Sequence, residues 1–131
     1  MNYSESFPKL YSLLIVIHVK DRAQALQQSK IAFKKGADGI FLINHFFLYK
    51  SLFEIYKEVR KSFSNRWIGL NCLDLTPLEF FSINFPKKID GLWDDNARID
   101  ENRQNQEYPE QVLAKIKESG WKGLYFGGVA F

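Results

Sequence analysis

The stretch Gly-Ala-Asp-Gly-Ile-Phe-Leu-Ile-Asn, residues 36–44, carries the pattern that predicts the fold. It reads as a left-handed helix stop at Gly36, a tight turn, a wholly apolar strand, and a polar residue where that strand ends. Related patterns recur at residues 66–71, 88–94 and 122–127, each after a helical segment. Strands that alternate with helices in this way are typical of parallel βα units, whose loops after the strands usually hold the chemistry.

Working outward from this stretch, the pattern predicts five strands that alternate with four helices. The strands are expected at residues 13–19, 39–44, 67–71, 89–93 and 122–126. Asp21, Thr76-Pro77 and Pro109 are plausible starts of three helices, because a short polar side chain or a proline favours the first turn. Residues 1–10 are expected to form a leader that is at best partly ordered. The whole chain, residues 1–131, is predicted to be a single domain.

Two architectures fit this α/β alternation. A flavodoxin-like open sheet uses five strands but normally ends with a further helix, which the pattern lacks here. The alternative is a partial (β/α)8 barrel, or TIM barrel, whose complete form takes about 250 residues. Gly69 and Gly91 inside strands favour the barrel, because small residues help to fill a crowded barrel interior.

A partial barrel leaves its first and last strands as open edges. Three explanations fit such edges: self-association, a separate chain that completes the barrel, or truncation of a longer ancestor. Aromatic residues make up 16% of the sequence, a surplus that fits either a partner surface or simply a bulky core.

The bulk composition limits the possible partners. The formal net charge is +3 with no cationic block, and nucleic-acid binding would be expected to show a basic stripe, so no nucleic-acid partner is predicted. The lysine pairs at 34–35 and 87–88 are expected at helix ends, where cations favour the helix dipole. Cys72 is the only cysteine, which excludes an intramolecular disulfide and favours a cytoplasmic location. No stretch approaches the roughly 20 apolar residues of a transmembrane segment.

Polar side chains gather where the predicted strands end. Side chains alternate along a strand, so every second residue lies on the same face. If the faces with small residues point into the barrel, His18, Asn44, Asn71 and Asp95 form a ring there. An unperturbed imidazole titrates near neutral pH, so His18 is the candidate acid or base, with Asp94 or Asp95 as a second one. Candidate substrate-binding residues lie in or just above the ring: Asn44, His45, Asn71, Asp74, Asn96, Gly127 and Gly128.

Each of these residues also has a purely structural interpretation. Asparagine is a natural strand-end and turn residue, and a lone histidine at a strand end often only makes structural hydrogen bonds. Gly127-Gly128 would let backbone N–H groups approach a phosphate, although flexibility near the terminus explains the pair equally well. Cys72 lies on the opposite face from Asn71 and is predicted to be a small buried hydrophobe.

A cofactor cannot be identified from the sequence. His18, His45, Asp94 and Asp95 offer nitrogen and oxygen ligands, but no His-x-His or His-x-x-x-His spacing accompanies them, so no metal site is predicted. Flavin binding of the flavodoxin type is disfavoured, because residues 20–22, Lys-Asp-Arg, replace the expected phosphate loop after the first strand.

Three segments resemble, in order and spacing, the opening of BtpA-like TIM-barrel proteins: Ile17-His18-Val19, residues 36–44, and Ile68-Gly69-Leu70-Asn71-Cys72-Leu73. Residues 90–93 with 99–101 look like a reduced version of the fourth-strand region of that family. The resemblance implies a barrel that acts on a small phosphorylated or sugar-like metabolite. Members of the family have also been linked to photosystem I assembly. The chain departs from the family pattern after its fifth strand.

Two functional hypotheses follow. The first is a small-molecule-binding domain, a truncated enzyme whose ligand sits above the strand ends. The second is a non-catalytic assembly module derived from a barrel and retained for its surfaces. The sequence leaves both open, together with the substrate and the reaction.

Overall fold

The computed structural model describes residues 2–129, in which helices and strands alternate along the chain. In chain order the elements are α1 Tyr3–Ser6, β1 Leu14–Val19, α2 Arg22–Lys34, β2 Gly39–Asn44, α3 Tyr49–Ser62, β3 Trp67–Asn71, α4 Pro77–Ser82, β4 Gly91–Asp94, α5 Glu107–Ser119 and β5 Leu124–Gly127. The strands form one sheet of five, and all four neighbouring pairs are parallel. The predicted α/β fold with five parallel strands is therefore confirmed.

The strand order is sequential, β1-β2-β3-β4-β5. A flavodoxin-type sheet has the order 2-1-3-4-5, in which the chain reverses direction across the sheet. With sequential order, right-handed connections place every connecting helix on the same side. The arrangement is consistent with part of a barrel or with an open α/β sheet, and β1 and β5 are its edges within the described residues.

One face of the sheet, here called the helix face, packs against α2 to α5. The residues of this face that lie in the strands or, for Cys72, just after one are all buried in one cluster with the helices: Ile17, Val19, Ile40, Leu42, Ile68, Leu70, Cys72 and Leu92. The helices contribute Phe33, Leu52, Phe80 and Val112, among others, to that cluster. Cys72 is buried here, as predicted. Each buried leucine or isoleucine side chain stabilises the fold by roughly 1.5–3 kcal/mol relative to exposure.

The opposite face, here called the aromatic face, carries the other side-chain set of each strand. Its residues are Leu14, Val16, His18, Gly39, Phe41, Ile43, Trp67, Gly69, Asn71, Gly91, Trp93, Leu124 and Phe126. Phe41 and Trp67 are buried on this face with their ring centroids 5.1 Å apart, in an edge-on arrangement. Glycines make room for these rings, since a Cβ atom on Gly91 would lie 2.6 Å from the Trp67 indole.

The amino-terminal leader is more ordered than the sequence suggested. From Asn2 onward it folds, with the short helix α1 held by a capping box between Asn2 and Glu5. Phe7 follows that helix and is only 4% exposed, because its ring packs 5.1 Å from the Trp67 ring on the aromatic face. Residues 2–129 therefore hold five helices, one more than the four predicted. Met1 lies outside the described residues.

Arg60 ties together the loops at the amino edge of the sheet. Its guanidinium donates to the Asp90 carboxylate at 2.6 Å and to the carbonyl oxygens of Lys88 at 2.8 Å and Arg66 at 2.7 Å. Its Nε donates to the Tyr56 hydroxyl at 3.1 Å. A charge that is largely buried needs this degree of pairing, so the network fixes the segments that lead into β3 and β4. Among residues 2–129, no helix is both long enough and apolar enough to cross a bilayer.

Candidate functional site

His18 and Asn71 lie in one row across the carboxyl edge of the aromatic face. His18 is in register with Ile43 of β2, and Ile43 is in register with Asn71 of β3. Asn44 is the next residue after Ile43, so its side chain belongs to the helix face. The predicted ring of His18, Asn44 and Asn71 is therefore wrong for Asn44. Gly39 is the small residue that lies on the aromatic face in β2, and alternation from it leads to Ile43 rather than Asn44.

Asn44 and Asp74 join two loops on the helix side of the carboxyl edge. The Asn44 amide donates to the Asp74 carboxylate at 2.6 Å and to the Phe47 carbonyl at 2.9 Å, and its oxygen accepts from the Leu73 N–H at 2.8 Å. The second Asp74 oxygen accepts from the Tyr49 N–H at 2.9 Å, at the start of α3. Asn44 is only 2% exposed. The structure thus gives both residues a structural role: Asn44 makes three hydrogen bonds with its amide, and each oxygen of Asp74 accepts one.

His18 and His45 form a stacked pair above the aromatic face. Their ring centroids lie 4.8 Å apart with an interplanar angle of 24°, and both side chains are exposed. His18 is the last residue of β1 whose side chain lies on the aromatic face, and His45 is the first residue of the loop after β2. Phe46 lies beside this pair, with its ring centroid 6.2 Å from His45. The structure therefore brings together two predicted site residues that are 27 positions apart in the sequence.

Asn71 and Asp95 form a second pair at the same edge. The Asn71 amide donates to the Asp95 carboxylate at 3.0 Å. Asn71 is buried at 2% exposure, whereas Asp95 is exposed in the loop after β4. The hydrogen bond fixes the orientation of the amide and leaves the carboxylate open to solvent. Asp95, predicted as a member of the ring, lies in the loop just after β4 and reaches the row through this hydrogen bond.

Asp94, the last residue of β4, lies on the helix face and is separated from His18 by the sheet. Its register partner is Gly127, and its Oδ2 atom is buried without a hydrogen-bond partner in residues 2–129. Burial raises the pKa of this carboxyl to about 6; the Asn96 N–H opposes the rise, Asp95 adds to it and Arg98 opposes it. A carboxyl with this pKa exchanges protons near neutral pH, but the adjoining cavity of about 10 Å³ holds one water at most.

The loop after β4 packs against the end of β5, and three predicted site residues lie there: Gly127, Gly128 and Asn96. The Gly128 N–H, expected to approach a phosphate, instead donates to the Asp94 carbonyl at 2.7 Å, and the Gly128 carbonyl accepts from the Ala97 N–H at 2.7 Å. A Cβ atom on Gly127 would lie 2.7 Å from the Ala97 methyl group. The Asn96 side chain accepts from the Arg98 N–H at 2.8 Å. These contacts give the three residues a role in loop closure.

Trp93 and Phe126 are site residues that the sequence interpretation missed. Trp93 is in register with Phe126, and both continue the row that holds His18 and Asn71. The signal was present, because alternation from Gly91 places Trp93 on the face of small residues. Their partly buried rings provide an apolar platform beside the polar pairs. Within residues 2–129, no three His, Cys, Asp or Glu side chains are grouped to hold a metal ion.

Comparison of the chain with protein-family models, with curated proteins and with solved structures gives no match. The resemblance to BtpA-like proteins therefore stays a prediction.

Proposed function

We propose that this chain binds a small polar metabolite, phosphorylated or sugar-like, at the carboxyl edge of the aromatic face. The observation that supports this is the row shared by His18 and Asn71, each paired with a loop residue, His45 or Asp95. Ligands of parallel α/β folds bind at this edge. Two strand spacings of about 4.8 Å separate His18 from Asn71, so a small molecule spans roughly 10 Å between the two pairs.

The residues suggest distinct roles in that complex. The exposed imidazoles of His18 and His45 hydrogen-bond a phosphate group, and His18 is the candidate acid or base. The Asp95 carboxylate accepts hydrogen bonds from hydroxyl groups and is oriented by Asn71. Trp93 offers an aromatic surface for the apolar face of a sugar ring. The proposal concerns binding and does not require catalysis.

The proposal is tested by calorimetric titration with ribose 5-phosphate and glucose 6-phosphate. We expect binding to the wild-type chain and at least a tenfold loss of affinity in His18→Ala and Asp95→Ala, both of which change exposed side chains. Asn84→Ala, an exposed asparagine outside the row, is the matched control and should bind normally. Equal affinity of all four proteins, or no binding by the wild-type chain, would contradict the proposal.

A second candidate, a non-catalytic assembly module, is supported by the surface next to the β1 edge. Leu10 is 88% exposed and Tyr11 is 83% exposed, and Leu13 and Val16 are also exposed. In the described residues β1 pairs only with β2, so its outer edge can receive another strand. On this proposal a second copy of the chain pairs there and covers the apolar side chains.

Light scattering coupled to size-exclusion chromatography distinguishes this candidate. We expect the wild-type chain to elute as a dimer and the Leu10→Ser/Tyr11→Ser variant as a monomer. Leu113→Ser, an exposed leucine on α5, is the control and should leave the dimer intact. A wild-type monomer over the whole concentration range would rule out this candidate.

A further inference from the structure

A cleft of about 860 Å³ opens at the amino edge of the sheet, on the end opposite the site proposed above. Its walls come from the segments that lead into β3, β4 and β5 and from α1. This volume lies within the range of pockets that hold small molecules, roughly 300–1,000 Å³. None of the site residues predicted from the sequence lines it.

Besides Arg60, which is paired with Asp90, four basic side chains surround the cleft: Arg66, Lys87, Lys88 and Lys122. All four are exposed, and none forms a salt bridge with a carboxylate in residues 2–129. Lys87 and Lys88 were expected to stabilise the end of a helix. However, α4 ends at Ser82 and has no basic residue in its last turn, so the helix dipole does not account for this pair.

The three acidic residues of the cleft are already engaged with other groups. Asp90 accepts from Arg60 and from the Ile68 N–H, as described in part above. Asp38 accepts from Lys9 at 2.7 Å and from the Leu13 N–H at 2.8 Å, and Glu5 closes the capping box of α1. Within the described part of the chain, none of the four basic side chains is paired with a carboxylate, and they outnumber Glu5, the one cleft carboxylate without a cation beside it, which favours an anion in the cleft.

The lysine pair is held in place by buried groups beneath it. The Tyr56 hydroxyl donates to the Lys87 carbonyl at 3.2 Å, and the Arg60 guanidinium donates to the Lys88 carbonyl. Lys88 has φ of +63°, a left-handed conformation that costs roughly 1 kcal/mol or more for a residue other than glycine. The surrounding network thus fixes a strained backbone that directs two adjacent lysines to the cleft edge.

Unpaired donors lie in the same walls. The indole nitrogens of Trp67 and Trp121 and the Ser6 hydroxyl are buried without a hydrogen-bond partner in residues 2–129, and all three residues line the cleft. Trp67 is only 8% exposed. Trp67 belongs to the aromatic-face cluster and Trp121 packs against the helix-face cluster, so the two indoles border the cleft from opposite faces of the sheet. Phe85 packs 5.3 Å from Trp121 and completes an apolar wall.

We propose that this cleft binds an organic anion of the nucleoside phosphate class. The phosphate groups contact Lys87, Lys88 and Arg66, and the flat apolar part of the ligand lies against Trp121 and Phe85. The Trp67 indole lies near the cleft on the aromatic face, so its N–H signal reports binding there. The proposal is independent of the carboxyl-edge site, because the two sites lie at opposite ends of the strands and share no residue.

The test is a titration with adenosine diphosphate followed by the indole N–H signals in a nitrogen–proton correlation spectrum. The chain has three tryptophans, and the third, Trp93, belongs to the carboxyl-edge site proposed above, so its signal reports binding there. In a His18→Ala/Asp95→Ala variant, in which that site is disabled, we expect the Trp67 and Trp121 signals to shift and the Trp93 signal to stay. Shifts of all three signals alike in this variant, or of none, would overturn the proposal.

Variants assign the charge contribution. Lys87→Ala/Lys88→Asn should weaken adenosine diphosphate binding at least tenfold, with asparagine chosen because it tolerates left-handed backbone. Lys30→Ala/Lys50→Ala removes the same charge from exposed lysines outside the cleft and should bind as the wild-type chain does. If the first variant fails to fold, Lys87→Ala alone carries the test. Equal losses in both pairs, or inorganic pyrophosphate binding as tightly as adenosine diphosphate, would overturn the proposed ligand class.

Discussion

The ring of Phe41 lies directly over Gly69 of the neighbouring strand. A Cβ atom on Gly69 would come within 2.5 Å of one ring carbon of Phe41 and 2.7 Å of the next. Both residues belong to the buried part of the aromatic face, where the ring cannot move away without disturbing Trp67. The strand therefore carries glycine at this position because a flat ring occupies the space of a side chain.

From this contact we expect Gly69→Ala to lower the free energy of unfolding by about 2 kcal/mol, because an added methyl group overpacks the face. Urea denaturation measures the loss. Phe41→Leu in the same chain should recover part of it, since the shorter side chain vacates the space above residue 69. A Gly69→Ala variant as stable as the wild-type chain would show that the ring adjusts freely.

Asn44→Ala should destabilise the fold by about 2 kcal/mol, because it leaves buried partners such as the Leu73 N–H unsatisfied. His18→Ala removes an exposed side chain and should change stability by less than about 0.5 kcal/mol. Thermal denaturation of the two variants, side by side, separates a structural residue from a candidate ligand-binding residue. If Asn44→Ala has the same melting temperature as the wild-type chain, the contact between the two loops does not depend on this amide.

Asp94 predicts a pH dependence of stability. Its folded-state pKa of about 6 lies above the ordinary value of 3.8, so the folded state holds the proton more tightly than the unfolded state does. The resulting stabilisation is present in full below pH 3.8 and is lost as the pH rises through about 6. Part of the side chain meets water, so we expect only about 1–2 kcal/mol.

Asp94→Asn should remove this dependence. At pH 8 the variant is expected to be more stable than the wild-type chain by the same amount, about 1–2 kcal/mol, because no buried charge has to form. Near pH 3.5 the two proteins should be equally stable. Glu101→Gln, which neutralises an exposed carboxylate in the same loop, is the control and should leave the pH profile unchanged.

The sequence predicted the sheet well because the strands are marked by continuous apolar runs and by helix signals between them. The stretch 39–44 is buried along its entire length, and such a run gives no polar alternation from which to assign faces. The placement of Asn44 failed for that reason. Only Gly39, whose Cβ position is blocked by Trp67, distinguishes the two faces of β2.

Tertiary contacts explain the other departures from prediction. Asp94 and Asp95 are adjacent and chemically alike, yet Asp94 is half-buried on the helix face and Asp95 is exposed. The difference arises because β4 ends at Asp94, and the sequence does not mark that position. The basic residues of the cleft at the amino edge come from separate loops, so no local sequence pattern predicted the cleft. Phe7 gave no periodic signal because a single buried ring has no period.

Phe7 leads to the last prediction, which concerns the leader. Its ring is buried against Trp67, although the helix before it has only four residues and none of them is buried. So short a helix is marginal by itself, and we infer that the Phe7 contact holds the leader on the sheet. Phe7→Ala should lower the free energy of unfolding by about 3 kcal/mol and speed hydrogen exchange at the Trp67 indole. Ser4→Ala, which changes an exposed side chain of α1, should change neither quantity. Unaltered exchange at Trp67 in the Phe7 variant would mean that other groups cover this part of the aromatic face.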